Sequence, residues 1–225
     1  INLNKLVKNN PVFLAPMSGV TDLPFRSQVQ NFGDNLVFSE MNASSEMVYL
    51  LKTNKQVFQN EIFNRKNGPV AFQIAGWDPY IMSTAASLLE ERGVQIIDIN
   101  MGCPAKKVVK RYAGSALMKD LSLARDIIDS VVKATSLPTT LKMRLGWDED
   151  TKNAPELAKI AEDNGIKMIT VHGRTKQQLY RGIADWKFIS KVKQNVKIPV
   201  VANGDITCFD SAKKCLREST ANGIM

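Results

Sequence analysis

A cysteine held between a glycine and a proline is the residue of this chain most open to chemistry. Cys103 follows Gly102 and precedes Pro104. A free cysteine is usually a small buried hydrophobe, but a strand-to-loop turn would expose this one to a pocket. Lys106, Lys107, Lys110 and Arg111 follow closely. Cations so near a thiol can favour the thiolate or support acid chemistry. The same cations make either a solvated surface or a holder for nucleic-acid phosphates. Lys142 lies inside an apolar, β-branched run where lysine is disfavoured. Burying an unpaired ammonium is costly, so it needs either a structural salt bridge or an anionic or electron-rich ligand. His172 is the only histidine and stands beside Gly173-Arg174. It reads as a satisfied core residue or as a group of the same site. Cys208 and Cys215 fall in a helical stretch and read as structural. With one histidine they make no zinc pattern. No Walker A or Rossmann glycine fingerprint is present, which argues against ATP chemistry and a fixed dinucleotide site.

These residues need elements to position them. Short apolar runs occupy residues 12–15, 36–39, 70–74, 95–100, 140–144, 168–172, 199–203 and 221–225. None alternates polar with apolar residues for long, which favours strands buried on both faces of a parallel sheet. Helix punctuation falls between them. Asp78-Pro79 offers an N-cap and a first-turn proline before the apolar face Ile81, Met82, Ala85, Ala86, Leu88 and Leu89, which Gly93 closes. Leu123, Ile127, Ile128, Val131 and Val132 repeat the pattern after Asp120, and Leu157, Ala158, Ile160 and Ala161 after Pro155. Eight strand runs alternating with helices predict the α/β class and a (β/α)₈ TIM barrel of parallel strands, truncated in strand eight. A doubly wound open sheet is the alternative. In a barrel, chemistry collects where strands end. Seven runs here exit into polar or glycine-rich residues: Pro16-Met17-Ser18, Ser39-Glu40, Gln73, Asn100-Met101-Gly102-Cys103-Pro104, Lys142-Met143-Arg144, His172-Gly173-Arg174 and Asn203-Gly204-Asp205.

Composition narrows the function classes. The 225 residues carry 30 Lys+Arg against 22 Asp+Glu, a net charge of +8, with 44% hydrophobic residues. That apolar content excludes general disorder, and the basic excess favours an anionic partner. No run approaches the roughly 20 apolar residues of a membrane span. The first ten residues lack the apolar core of a signal peptide. Three cysteines are too few for a disulfide framework, so a reducing, cytoplasmic setting is expected.

In family order, the motifs resemble those of tRNA-dihydrouridine synthases, with a flavour of the bacterial B-type enzymes. The resemblance is carried by Ala15-Pro16-Met17, Gln73-Ile74-Ala75-Gly76, Asp98-Ile99-Asn100-Met101-Gly102-Cys103-Pro104 and Lys110-Arg111-Tyr112-Ala113-Gly114-Ser115-Ala116-Leu117-Met118. Leu141-Lys142-Met143-Arg144-Leu145-Gly146-Trp147, Val171-His172-Gly173-Arg174-Thr175 and Val201-Ala202-Asn203-Gly204-Asp205-Ile206 extend it over essentially the whole chain. The Asn-x-Gly-Cys-Pro element is the most specific of them.

The resemblance implies an oxidoreductase that binds FMN in its barrel and reduces the C5=C6 bond of particular uridines in tRNA, with NADPH reloading the flavin. The implied FMN contacts are Pro16, Met17, Ser18, Gln73, Lys142, His172, Asn203, Gly204 and Asp205. Cys103 matches the proton donor. Hydride from flavin N5 would reach C6 of the uracil and a proton from Cys103 would reach C5, a role open to a thiol of ordinary acidity. Lys142 suits the N1 and O2 side of the reduced ring. Asn100 is expected to pair with the uracil edge and Arg144 to contact uracil or phosphate. No metal or membrane is implied. Residues 1–225 are expected to be the FMN-binding catalytic barrel, C-terminally incomplete. Family members continue into a Gly-Arg element for the flavin phosphate and a helical tRNA-binding domain, both absent here, so weakened FMN affinity is expected. An unfinished eighth strand is also expected to leave its two neighbours unpaired. The alternatives are another FMN barrel acting on a small pyrimidine, as relatives of dihydroorotate dehydrogenase do, and a non-enzymatic RNA-binding barrel.

Overall fold

The computed structural model of the chain describes residues 1–33, 35–53 and 68–225. Its strands are β1 (Val37–Phe38), β2 (Asn42–Ala43), β3 (Val70–Ala75), β4 (Ile96–Met101), β5 (Thr139–Arg144), β6 (Met168–His172), β7 (Val200–Asn203) and β8 (Gly223–Ile224). The sheet runs β1-β3-β4-β5-β6-β7-β8, with β2 also on β3, and every ladder is parallel. The helices are α1 (Leu3–Asn9), α2 (Leu23–Gln30), α3 (Ser44–Thr53), α4 (Pro79–Glu91), α5 (Lys106–Val109), α6 (Leu121–Ala134), α7 (Ala154–Asp163), α8 (Trp186–Asn195) and α9 (Phe209–Ser219). This is the α/β barrel that the strand and helix punctuation predict. No helix among the described residues is long and apolar enough to cross a membrane.

Two apolar layers build it. All of β4 is buried. Ile97, Ile99 and Met101 pack outward in the layer that also holds Met82, Leu89, Ile127, Ile128 and Leu157 of the helices. On the alternate face, Ile96 joins Phe13, Leu36, Phe38, Met168 and Val201 in the lower barrel, where Leu3 and Val7 of α1 close the bottom. Successive strand side chains point to opposite faces, so the residues above Ile96 on the inner face are Asp98 and Asn100. The lower barrel is therefore dry and the upper barrel polar.

Two sequence expectations are corrected. Residues 12–15 form no strand ladder. Pro11 and Pro16 flank them and offer no backbone N–H, and only isolated parallel bridges remain, Val12 to Ile224 and Leu14 to Val37. Those bridges also overturn the expected gap at strand eight. Ile224 pairs Ala202 of β7 on one side. On the other side it accepts from Phe13 N at 2.9 Å and donates to Pro11 O at 2.7 Å. Two residues of β8 thus suffice to join both neighbours. The short β2, built on a polar Asn42, lacks any apolar run that would announce it.

The caps act as anticipated. Asp78 Oδ1 accepts from Ile81 N at 2.9 Å, and Asp120 Oδ1 from Leu123 N at 3.0 Å. Each satisfies one otherwise unpaired helix-start donor. Asp120→Ala is expected to lower stability by about 1 kcal/mol. Urea denaturation checks this: the midpoint should fall while the slope stays constant.

Candidate active site

The polar end of the barrel opens into a cavity of about 1330 Å³. All twelve residues singled out as site residues border it. Pro16, Met17 and Ser18 follow the closing segment, Gln73 lies on β3, Asn100 and Cys103 at the end of β4, and Lys142 and Arg144 on β5. His172 ends β6, and Asn203, Gly204 and Asp205 end β7. Lys106, Lys107 and Arg111 border it too. Lys110 does not. Among the described residues no group of three or more His, Cys, Asp or Glu side chains could hold a metal ion.

Cys103 is partly exposed on this wall, and its backbone is held at both ends. Asn100 Oδ1 accepts from Gly102 N at 3.1 Å and Cys103 N at 2.9 Å. The Cys103 carbonyl accepts from Ser115 N at 3.0 Å and Ser115 Oγ at 2.9 Å. The return of the chain to Ser115 requires Gly114. It sits at φ +60°, and a Cβ there would lie 2.7 Å from the Cys103 carbonyl oxygen. Arg144, almost fully buried, braces the same turn. Its Nε donates to Gly102 O at 2.9 Å, and its Nη1 donates to Thr175 O and Leu179 O at 2.9 and 2.8 Å. Asn100 and Arg144 therefore already hold the backbone that carries the cysteine, whatever further contact they make.

Lys142 points its ammonium across the barrel. Nζ donates to Asn203 Oδ1 at 2.9 Å, while Asn203 Nδ2 donates to Met225 O at 2.9 Å. No carboxylate lies within ion-pair distance of Nζ among the described residues. Burial pushes the ammonium down to about 8, with Asp98 opposing the shift and Arg144 adding to it. A salt bridge thus does not account for this lysine.

The next strand ends form a rigid ionic knot. Arg174 Nη2 meets both oxygens of Asp205 at 2.7 and 2.8 Å, and Asp205 Oδ2 also accepts from Ala184 N at 2.7 Å. Gly204, at φ +114°, packs so closely on His172 that a Cβ would meet its Cδ2 at 2.9 Å. Burial, then the charges of Lys142, Arg144 and Arg174, holds His172 far below the ordinary imidazole range. The ring is neutral. An arginine can only donate, so His172 Nε2, 3.4 Å from Arg174 Nη1, is the acceptor and Nδ1 carries the proton.

Several residues here escaped sequence reasoning as site groups. Arg174 was visible only as part of a motif, and its partner Asp205 is far off in sequence. Tyr180, 74% exposed, lies under the Arg144 guanidinium at 5.6 Å and beside His172 at 6.2 Å between ring centroids. Nothing local in sequence marks it. Asp98 is a charge inside an apolar run, a signal that was available. The other two cysteines separate: Cys215 is buried, its thiol pushed up to about 11 by burial, whereas Cys208 is exposed at the start of α9, where it caps with Ser211.

The dihydrouridine synthase family model matches residues 13–225. A probable tRNA-dihydrouridine synthase of Rickettsia conorii is 52% identical over 225 residues, spanning all of this chain and 67% of its own length. The tRNA-dihydrouridine synthase B of Vibrio parahaemolyticus is 45% identical over 222 residues, spanning 99% of this chain and 68% of its own length. Two solved structures share the fold at 15% identity. A variant of NCR from Zymomonas mobilis aligns over 96% of this chain and 81% of its own with a TM-score of 0.66. Nitroalkane oxidase from Streptomyces ansochromogenes aligns over 100% and 66% with a TM-score of 0.58.

Proposed function

This chain belongs to the dihydrouridine synthase family, and from that premise we propose that it reduces particular uridines of tRNA to 5,6-dihydrouridine with FMN as resident cofactor and NAD(P)H as reductant. The carrying observation is the pairing of Lys142 with Cys103 around one cavity. Among the described residues Lys142 is an ammonium with only a neutral amide as direct partner. That donor set fits a ring that accepts electrons and becomes anionic on reduction. The catalytic barrel of residues 1–225 would hold FMN through Pro16, Met17, Ser18, Gln73, Lys142, His172, Asn203, Gly204 and Asp205. Asp205 is locked by Arg174, and the Gly204 carbonyl accepts from Trp186 Nε1 at 2.9 Å, so the pair offers a fixed backbone surface more than a free carboxylate. When bound, such a cofactor would supply the hydride chemistry at C6 of the uracil.

The rest falls to the protein. Cys103 holds the proton that C5 requires, and its turn is pinned so that the sulfur stays on the cavity wall. Asn100 has one amide hydrogen free of the bonds described above and donates it to a uracil carbonyl. Arg144 fixes the Gly102 carbonyl beside that base, with its remaining nitrogen available to uracil or phosphate. Neutral His172 accepts from Arg174 and presents its Nδ1–H as a donor. The target base must leave the tRNA stack to reach this depth. Lys106, Lys107 and Arg111 at the rim meet the phosphates that arrive with it. From the tRNA substrate we infer a cytoplasmic setting for the reaction.

Full-length protein is expected to be purified yellow, with FMN that heat releases unmodified, and to convert uridine to dihydrouridine in unmodified tRNA with rates that fall as salt rises. Absorbance spectra and mass mapping of the tRNA check this. A colourless protein that takes up no added FMN overturns the flavin, and turnover of free pyrimidines without tRNA would favour the small-molecule alternative.

A further inference from the structure

Below the cavity lies a carboxylate with no part in the reaction as described. Asp98, on β4, is fully buried. Thr140 Oγ1 donates to its Oδ1 at 2.5 Å, and Gln73 Nε2 donates to its Oδ2 at 2.6 Å. Burial pushes its carboxyl up to about 6, with Gln73, Thr140 and Lys142 opposing, so the ionised form prevails at neutral pH. A buried carboxylate is costly, and its contacts lead in one direction. Gln73 Oε1 accepts from Asn100 Nδ2 at 2.8 Å, and Asn100 Oδ1 accepts from the backbone N–H groups of Gly102 and Cys103.

This chain has a polarity. An ionised carboxylate only accepts, and a backbone N–H only donates. Between an acceptor at one end and donors at the other, each of the two amides has a single orientation that satisfies both neighbours. Turning either one by 180° would set donor against donor or acceptor against acceptor. We propose that Asp98 is a positioning residue that fixes the orientation of the Gln73 and Asn100 amides and, through them, holds the Cys103 turn in the geometry that delivers its proton. The inference rests on the reading of Cys103 as proton donor, but the geometry it asserts has a readout of its own.

The test uses the full-length flavoprotein. Asp98→Leu leaves Gln73 Nε2 without its acceptor and lets that amide turn against Asn100, whereas Asp98→Asn still offers a carbonyl oxygen to Gln73. With Asp98→Leu, reoxidation of the reduced enzyme by saturating tRNA should slow about tenfold or more with the KM for tRNA unchanged, and Asp98→Asn should restore most of the rate. Adding Gln73→Met to Asp98→Leu should change the reactivity of the Cys103 thiol no further, because both act through one chain. Where Asp98→Leu gives no soluble protein, Gln73→Met breaks the chain one link nearer the cysteine, and because Gln73 is also a proposed FMN contact only the reactivity of the Cys103 thiol is read from it. Alkylation of Cys103 by iodoacetamide, read by mass spectrometry of its peptide, needs no substrate. It should speed up about tenfold in the broken chain and return in Asp98→Asn. A wild type inactive on tRNA would sink the proposed reaction alone. Unchanged alkylation, or effects on it that multiply in the double variant, would sink the role of Asp98.

Discussion

Replacing Cys103 with alanine is expected to leave reduction of the flavin by NAD(P)H intact and to slow uridine reduction by about 10²–10⁴-fold, the usual effect of losing a general acid. On the proposed roles the two half-reactions separate, because the thiol would face the substrate and no cofactor step would need its proton. Charge that develops at C5 when C6 receives hydride must be quenched, and among the groups at hand the thiol is the suitable donor. His172 is neutral, and its one ring proton, on Nδ1, is far less acidic than that of an imidazolium. Lys142 is engaged with Asn203. The turn itself survives the substitution, since its restraints are backbone groups and the side chains of Asn100, Arg144 and Ser115. A loss of activity therefore reports chemistry more than misfolding. Stopped-flow measurement of each half-reaction decides it, and near-normal reoxidation by tRNA would remove Cys103 from the mechanism.

The parts of this architecture that sequence exposes are those set by local physics. A strand buried on both faces must be apolar along its length, so β3 to β7 stand out as runs such as Ile96-Ile97 and Val200-Val201. Asp78 and Asp120 mark helix starts because a carboxylate satisfies free N–H groups wherever a helix begins. Strand exits are legible for a related reason. A cavity at the end of a dry barrel has to be lined by residues that the apolar rule excludes, and Arg144, His172 and Asn203 break that rule in one register row, with Asn100 and Lys142 in the row two residues below. The remainder depends on who meets whom across the barrel. Residues 12–15 look like a strand, but the prolines on either side decide how many ladder bonds they make. Asp205 reads as a polar loop residue, and only the fold reveals that Arg174 already claims it. Asn100 reads as an amide free to face a base, yet its oxygen belongs to the Cys103 turn. The type of each residue was visible, whereas its remaining hydrogen-bonding capacity was not.

Lys142→Met is expected to weaken FMN binding and to slow flavin reduction by about 10²–10³-fold, the scale seen when one preorganised charge-stabilising donor is removed. The same substitution should make the flavin-free protein more stable, and pH tells the two effects apart. Burial lowers the Lys142 ammonium from an ordinary 10.5 to about 8. Below pH 8 the lysine is charged in both folded and unfolded states, and the fold carries the full penalty of a buried ammonium. Between pH 8 and 10.5 the unfolded chain binds the additional proton, so the contribution of this residue to stability improves as pH rises through that window. At about 1.4 kcal/mol per pKa unit the improvement amounts to roughly 3 kcal/mol. Function runs the other way, because the charge that would face an electron-rich ring is lost above pH 8 in the empty site. A bound anionic ring would hold the proton on and shift that loss to higher pH. Urea denaturation of the flavin-free wild type and Lys142→Met at pH 7 and pH 10 compares the two, with Asp98 and His172 the neighbours whose own titration the Lys142 charge also shifts. Lys142→Met should be the more stable at pH 7, with the gap closing by pH 10. Curves that stay parallel would show that the ammonium bears no burial penalty. A stabilised variant that also loses FMN would show that this strand keeps its lysine for the ligand and against the interest of the empty fold.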